Sequence, residues 1–258
     1  MPSPPRVLIL RAAGTNCDEE TEFAWNLAGA RAERVHVNRL IESPARLRDC
    51  QILTIAGGFS YGDDIASGRI LAHQLTLALG DAIRGFVDRG GLLIGICNGF
   101  QVLVKAGFLP GPGLPAATLT HNDSGRFEAR WVWLRGEPCN CRWIEPGELL
   151  RLPSAHGEGK FVAAADADAA TVFSALRGAG CVALTYCDAN GNPAAYPDNP
   201  SGSQFGLAGA CDRTGRVFGL MPHPERCVLP TQRPDWTGIS NPVADGLRLF
   251  RRALESLR

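Results

Sequence analysis

Leu92-Leu93-Ile94-Gly95-Ile96-Cys97-Asn98-Gly99-Phe100-Gln101 runs from a short apolar stretch straight into a cysteine flanked by small residues. The apolar half reads as a buried strand and the polar-to-apolar half as the start of a helix. Glycines two before and two after Cys97 permit the sharp strand-to-helix turn that lifts a nucleophile clear of a sheet. At such a turn the backbone N–H of Asn98 points at any oxyanion that forms, and the helix N-terminus favours thiolate over thiol. A Gly-x-Cys-x-Gly run can also be plain packing, because buried cysteines behave mostly as small hydrophobes. The choice depends on whether a base stands near.

Outward from this stretch the pattern alternates. Arg6 to Leu10 is β-rich. A helix follows, with Thr15 or Asn16 available as cap, acidic residues Asp18, Glu19 and Glu20 in its first turn, Phe23 and Leu27 on its apolar face, and Gly29 as its stop. Val35 and Val37 mark a second strand, Ile52 to Ala56 a third and Leu92 to Ile96 a fourth, with helical stretches near residues 66–89 and 98–106. This β-α-β order predicts an α/β fold: a mainly parallel sheet flanked by helices on both faces, with functional groups at the carboxyl ends of the strands. The second half predicts antiparallel additions. Arg126 to Leu134 and Cys181 to Tyr186 read as strands, Asp188 to Asn192 as the turn of a hairpin, Val217 to Met221 as a late strand. Pro242 to Leu257 reads as a closing amphipathic helix, with Val243, Leu247, Phe250 and Leu254 inward and Arg248, Arg251 and Arg252 outward. The Pro- and Gly-rich stretches at 107–115 and 190–202 read as loops, so residues 1–258 are expected to form one domain.

Composition bounds the function. Lys plus Arg equals Asp plus Glu at 26 each, so no basic field invites nucleic acid. The apolar runs are too short to span a bilayer, and Met1-Pro2-Ser3-Pro4-Pro5 has no apolar signal core, which makes a cytoplasmic location the expectation and a membrane partner not. The nine cysteines show no Cys-x-x-Cys spacing; they are expected to be mostly reduced and buried, with Cys139-x-Cys141 an ordinary loop and no metal site.

The base is sought among five histidines. His36, between Val35 and Val37, and His73, in a helical stretch, read as structural. His121 and His156 lie in polar loops from which either could touch a substrate. His223 differs: Met221-Pro222-His223-Pro224-Glu225 follows directly on a predicted strand, and proline on both sides restrains it. The residue before a proline is pushed to extended geometry, where i and i+2 face the same way, so Glu225 lies on the side of His223. Nucleophile, base and orienter are then Cys97, His223 and Glu225.

These residues resemble the class I, triad-type glutamine amidotransferases. The general likeness lies in the cysteine turn with Gln101 four residues on, the paired Gly57-Gly58 after the third strand, and His223-Pro224-Glu225. Further blocks resemble one branch, the glutaminase subunits of phosphoribosylformylglycinamidine synthases of purine biosynthesis. They are Gly14 to Asp18, Gly57 to Asp63, Gly95 to Gln101, Asn122 to Glu128, Ala155 to Phe161 and Met221 to Arg226. The chain departs from the family at Ala56, where proline is usual, at Asp64-Ile65 and at Pro200 to Ser203; none of these touches the triad.

The resemblance implies a flavodoxin-like class I amidotransferase fold and hydrolysis of glutamine through a γ-glutamyl thioester on Cys97. It places backbone N–H groups of Asn98 and of the Gly57-Gly58 loop in an oxyanion hole, and Gln101 in the glutamine pocket. Phe59, Arg126, His156 and Glu158 are its further substrate or interface contacts. No phosphate-binding glycine motif is present, so this chain is expected to carry no cofactor. ATP and Mg would belong to a separate large synthetase subunit that turns formylglycinamide ribonucleotide into its amidine, accompanied by a small accessory subunit. The competing readings are a glutaminase for another synthetase, a non-catalytic binding subunit on the same fold, and a cysteine hydrolase on the same scaffold.

Overall fold

A computed structural model describes residues 3–240 and 243–257. Its strands are β1 (Arg6–Arg11), β2 (Arg31–His36), β3 (Ile52–Ile55), β4 (Leu92–Ile96), β5 (Ala117–Thr120), β6 (Glu128–Gly136), β7 (Leu149–His156), β8 (Lys160–Ala163), β9 (Val182–Cys187), β10 (Leu207–Cys211) and β11 (Val217–Leu220). Six α-helices join them: α1 (Asp18–Ala28), α2 (Val37–Glu42), α3 (Arg69–Asp88), α4 (Asn98–Lys105), α5 (Ala169–Gly178) and α6 (Asp245–Glu255). Nine strands form one sheet in the order β2-β1-β3-β4-β11-β10-β9-β6-β7, and β5 pairs with β8 in a small antiparallel sheet. From β2 to β11 every pairing is parallel; from β11 to β7 every pairing is antiparallel. The α/β architecture with a parallel sheet and antiparallel additions is as the sequence predicts. The antiparallel strands extend the main sheet itself, and the separate small sheet is made by other residues.

Register explains why the predicted functional segments meet. β4 lies between β3 and β11, parallel to both, with Ile55 beside Gly95 and Leu220 beside Ile96. The three strands therefore finish level. Neighbouring strands are about 4.8 Å apart, so the residues that follow them, Gly57-Gly58, Cys97 and Pro222-His223, leave the same edge of the sheet within about 10 Å of one another. β3, β4 and β11 are buried along their whole length, as continuous apolar runs in a sheet covered on both faces require.

Helix α1 differs from its predicted packing. Its buried face is Asp18, Thr21, Ala24 and Trp25, whereas Phe23 is 50% and Leu27 38% exposed. Trp25 decides the rotation: it is fully buried, its indole N–H donates to the Thr54 hydroxyl at 2.9 Å, and its ring meets Phe250 of α6 edge-on at 4.8 Å. Phe23 and Leu27, two positions to either side, turn toward solvent. Neither Thr15 nor Asn16 caps the helix. Thr15 Oγ1 instead accepts from the Ala12 N–H, closing the turn before it, and Cys17 occupies the cap position.

Val37 opens α2 instead of continuing β2, because the ring of His36 accepts from the Asn38 N–H and caps a new helix. After β9 the predicted turn is present, with the Asp188 carboxylate accepting from the N–H groups of Asn190 and Asn192. The returning chain pairs only at Pro193, and the antiparallel neighbours of β9 are β10 and β6. At the closing helix Pro242 lies outside the described residues. Leu247, Phe250 and Leu254 face inward as expected, but Val243 is 48% exposed. Arg248 and Arg252 reach the carboxylate of Glu148, which is nearly buried and needs cationic partners. All nine cysteines are unpaired, and eight are buried.

Candidate active site

Cys97 ends β4 in a conformation that few residues adopt, with φ 50° and ψ −105°. Two contacts fix it there. Its N–H donates to the Leu220 carbonyl of β11 at 2.8 Å, and Gly99 sits so close to β3 that a Cβ on it would lie 2.0 Å from the Ile55 oxygen. The side chain is held at the N-terminus of α4, where the first N–H groups have no helical acceptor. Cys97 is 6% exposed and lines an open cleft.

His223 and Glu225 are also buried, at 2% and 1% exposed. The His223 N–H donates to the Pro153 carbonyl at 2.7 Å, tying the segment after β11 to β7. Its ring Nδ1 lies 2.6 Å from Glu225 Oε1. With that nitrogen engaged, Nε2 is the one left to face the cleft, and it has no hydrogen-bond partner. Burial pulls the imidazole toward lower pKa, but the Glu225 carboxylate and the Cys97 and Cys17 thiols push the other way, and the result lies well above the ordinary histidine value. The Cys97 Sγ leans toward the Ala155 carbonyl at 3.7 Å.

Gly57 and Gly58 divide the work of their loop. A Cβ on Gly57 would stand 3.1 Å from His223 Cε1 and 3.2 Å from Cys17 Sγ, so its lack of a side chain makes room for the imidazole. Its carbonyl accepts from Cys17. Gly58 lies in the cleft wall at φ 141°, packed on the backbone of residues 14–16. Among the described residues neither the Gly58 N–H nor the Asn98 N–H has a backbone acceptor. The Asn98 side chain braces the loop, accepting from Ser60 N–H at 3.1 Å and donating to Asp63 and Gln101.

The sequence profile of the CobB/CobQ-like glutamine amidotransferase domain matches residues 4–255. The chain belongs to this family. Among curated relatives, this amidotransferase is 45% identical to the phosphoribosylformylglycinamidine synthase subunit PurQ of Dehalococcoides mccartyi, over 98% of each chain. It is 40% identical to the subunit of that name from Treponema denticola, over 89% of this chain and 90% of the other. Among solved structures it superposes on a chain of PurLQS from Thermotoga maritima with a TM-score of 0.73 and 30% identity, covering 99% of this chain and 100% of that one.

Around the amidotransferase cleft the other expected residues divide. Gln101, 3% exposed, lines the wall and donates from Nε2 to the Glu158 carbonyl at 2.6 Å. Phe59 stands at the mouth, 46% exposed, with its ring 6.4 Å from Phe127. His156 and Glu158 both line the cleft. The His156 Nδ1 lies 3.1 Å from Asn122 Oδ1, and burial, then the charge of His223, push this imidazole down to about 4, so it is neutral at physiological pH. The Glu158 carboxylate accepts from the Ser67 N–H. Arg126 is placed elsewhere: it is exposed and lines a neighbouring groove with Phe127 and Tyr196, because the turn at Asn122–Gly125 carries it past the cleft. His121 is exposed and absent from the cleft wall.

Three functional-looking residues escape the sequence reading. Asn122 clamps the His156 segment through its amide, donating to the His156 carbonyl at 2.7 Å and accepting from the Gly159 N–H at 3.0 Å. Cys17 and Arg226 share the cleft wall, the guanidinium donating to the Cys17 sulfur at 3.0 Å. All three sit within the quoted motif blocks, which was the available signal.

Proposed function

We propose that the chain is the glutaminase subunit of a phosphoribosylformylglycinamidine synthase, releasing ammonia from glutamine through Cys97, His223 and Glu225. The observation that carries this is the buried imidazole of His223. One nitrogen is held by Glu225, the other is free, and both stand beside a cysteine fixed at the end of the next parallel strand. The subunit assignment is supported by relatives of that name that match nearly the full length. The interleaving of strands from both halves in one sheet supports residues 1–258 acting as one amidotransferase domain.

In the reaction, glutamine enters the cleft beside Gln101. The Cys97 sulfur attacks the side-chain amide carbon as His223 Nε2 takes the thiol proton. Glu225 holds the imidazolium through Nδ1. Negative charge collects on the amide oxygen, where the N–H groups of Gly58 and Asn98 donate to it. Collapse of the tetrahedral adduct expels nitrogen, which leaves as ammonia after accepting the proton from His223. Water, deprotonated by the same histidine, attacks the γ-glutamyl thioester; glutamate departs and the thiol is restored. The ammonia is passed to a separate synthetase subunit, which with a small accessory subunit converts formylglycinamide ribonucleotide to formylglycinamidine ribonucleotide. ATP and Mg²⁺ are held by that partner. The location is cytoplasmic, in keeping with the absence, among the described residues, of a helix long and apolar enough to cross a membrane.

The test is Cys97→Ala assembled with the synthetase and assayed with glutamine or with ammonium as nitrogen donor. Glutamine-dependent turnover is expected to vanish and ammonium-dependent turnover to persist. Retention of the first, or equal loss of both, refutes the assignment.

A further inference from the structure

Cys17 takes no part in the chemistry above, yet it is 1% exposed at the wall of the cleft and turned toward the histidine. Its sulfur, a ring nitrogen of His223 and a carboxylate oxygen of Glu225 all lie within 4.8 Å of one another. Two atoms of this group, His223 Nε2 and Glu225 Oε2, are buried without any hydrogen-bond partner. A thiolate, an imidazole and a carboxylate form the mixed sulfur, nitrogen and oxygen set that suits a borderline-soft divalent ion, and three protein ligands leave a fourth position open. In a tetrahedral zinc site such ligand atoms stand roughly 3.3–3.6 Å apart, as Zn–ligand lengths of about 2.0–2.3 Å require. The His223–Glu225 pair, 2.6 Å apart at Nδ1 and Oε1, therefore has to open slightly and the Cys17 sulfur to move in.

We propose that the cleft contains an inhibitory site for Zn²⁺ or a cation of the same class, formed by Cys17, His223 and Glu225. The metal takes the place of the Cys17 thiol proton, which goes to solvent, and of the proton between His223 Nδ1 and Glu225, which moves to Nε2. Burial raises the pKa of the Cys17 thiol and Arg226, 3.0 Å from the sulfur, opposes this only in part, while Glu20, 3.2 Å from Arg226 Nε, offsets part of the guanidinium's repulsion of the incoming cation. Inhibition follows because an imidazole bound to the metal at Nδ1 and protonated at Nε2 no longer accepts the Cys97 proton. That consequence rests on the proposed role of His223; the binding itself does not.

Binding and inhibition are therefore measured separately. The full chain is titrated with Co²⁺, whose thiolate charge-transfer absorption reports a sulfur ligand, and with Zn²⁺ in competition with a chromophoric chelator. The same titrations are run on Cys97→Ala, Cys17→Ala, Cys17→Ser and His223→Ala, with thermal unfolding confirming that each variant folds. One equivalent with a thiolate band is expected in wild type and in Cys97→Ala. Both Cys17 variants and His223→Ala should lose affinity by more than about 10-fold, the lower end of what removing even an outer partner of a metal ligand costs. In the assembled enzyme, Zn²⁺ should suppress glutamine-dependent turnover reversibly and leave the ammonium-dependent reaction at the same metal concentration intact. Loss of binding in Cys97→Ala with retention in Cys17→Ala overturns the proposal, as does one equivalent that persists in both Cys17→Ala and His223→Ala. Should Cys97→Ala keep glutamine-dependent turnover while Zn²⁺ still binds through Cys17, the catalytic assignment fails and the metal site stands.

Discussion

Replacing Gly58 by alanine separates the backbone of the cleft from its side chains. A Cβ at this position would fall 2.7 Å from Asn16 N, 2.8 Å from the Gly14 oxygen and 2.9 Å from Thr15 Cα. All three are backbone atoms, so no side chain can swing aside. Relief to an ordinary contact of 3.4 Å requires the loop to move by about 0.7 Å, and at φ 141° the alanine is also strained by roughly 1–3 kcal/mol. A shift of that size carries the Gly58 N–H away from the oxyanion. Loss of one such donor lowers kcat by about 10²- to 10³-fold, or about 3–4 kcal/mol. The assay is glutamine-dependent turnover of the assembled enzyme, with ammonium-dependent turnover as the control for assembly and thermal unfolding as the control for folding. The expected result is a kcat depressed at least about 100-fold, a KM changed far less, and an unaltered ammonium reaction. A kcat within about 3-fold of wild type in a folded variant would show that the Gly58 N–H does not stabilise the transition state.

Three further outcomes are expected. Glu225→Gln removes the charge that opposes burial at His223, so the histidine's pKa should fall, read by NMR titration, and kcat should drop by about 10⁴-fold as when a triad carboxylate becomes an amide. His156, depressed to about 4 in the fold from an unfolded value of about 6.5, binds its proton more readily when unfolded. Acidification from pH 6.5 to 4 should therefore cost about 3 kcal/mol of stability, measured by urea unfolding across that range, and His156→Gln should remove that slope. Trp25→Ala empties a fully buried site and strips the Thr54 hydroxyl of its partner; a loss of about 3–5 kcal/mol in denaturant unfolding is expected.

The residues that sequence alone located are those whose roles follow from near neighbours. Gly95, Cys97 and Gly99 lie within one turn, and Pro222 to Glu225 within one extended step, so rules of local geometry reach them. Cys17 escaped because what matters about it is its position beside His223 and Arg226, more than 200 residues away. Asn122 escaped for the same reason, its partners being His156 and Gly159 on another strand end. Hydrophobicity weighted equally along α1 does not locate its inner face, because one indole with a hydrogen bond to β3 sets the rotation. Arg126 follows a turn that sets it along the neighbouring groove with Tyr196, a direction that its motif does not encode.

The close seat of α4 has a consequence for control. With the Gly99 backbone against Ile55 and the Cys97 N–H pinned to Leu220, the nucleophile is the fixed point of the cleft and cannot retreat without parting strands of the central sheet. The opposite wall is different in kind: Phe59, Asp63 and Ser67 stand on one loop and Gly157 and Glu158 on another, linked to each other by the hydrogen bond from Ser67 to the Glu158 carboxylate. Both loops are also tied to α4, one at Asn98 and the other at Gln101, so the cleft widens on that side only as those side-chain hydrogen bonds are exchanged.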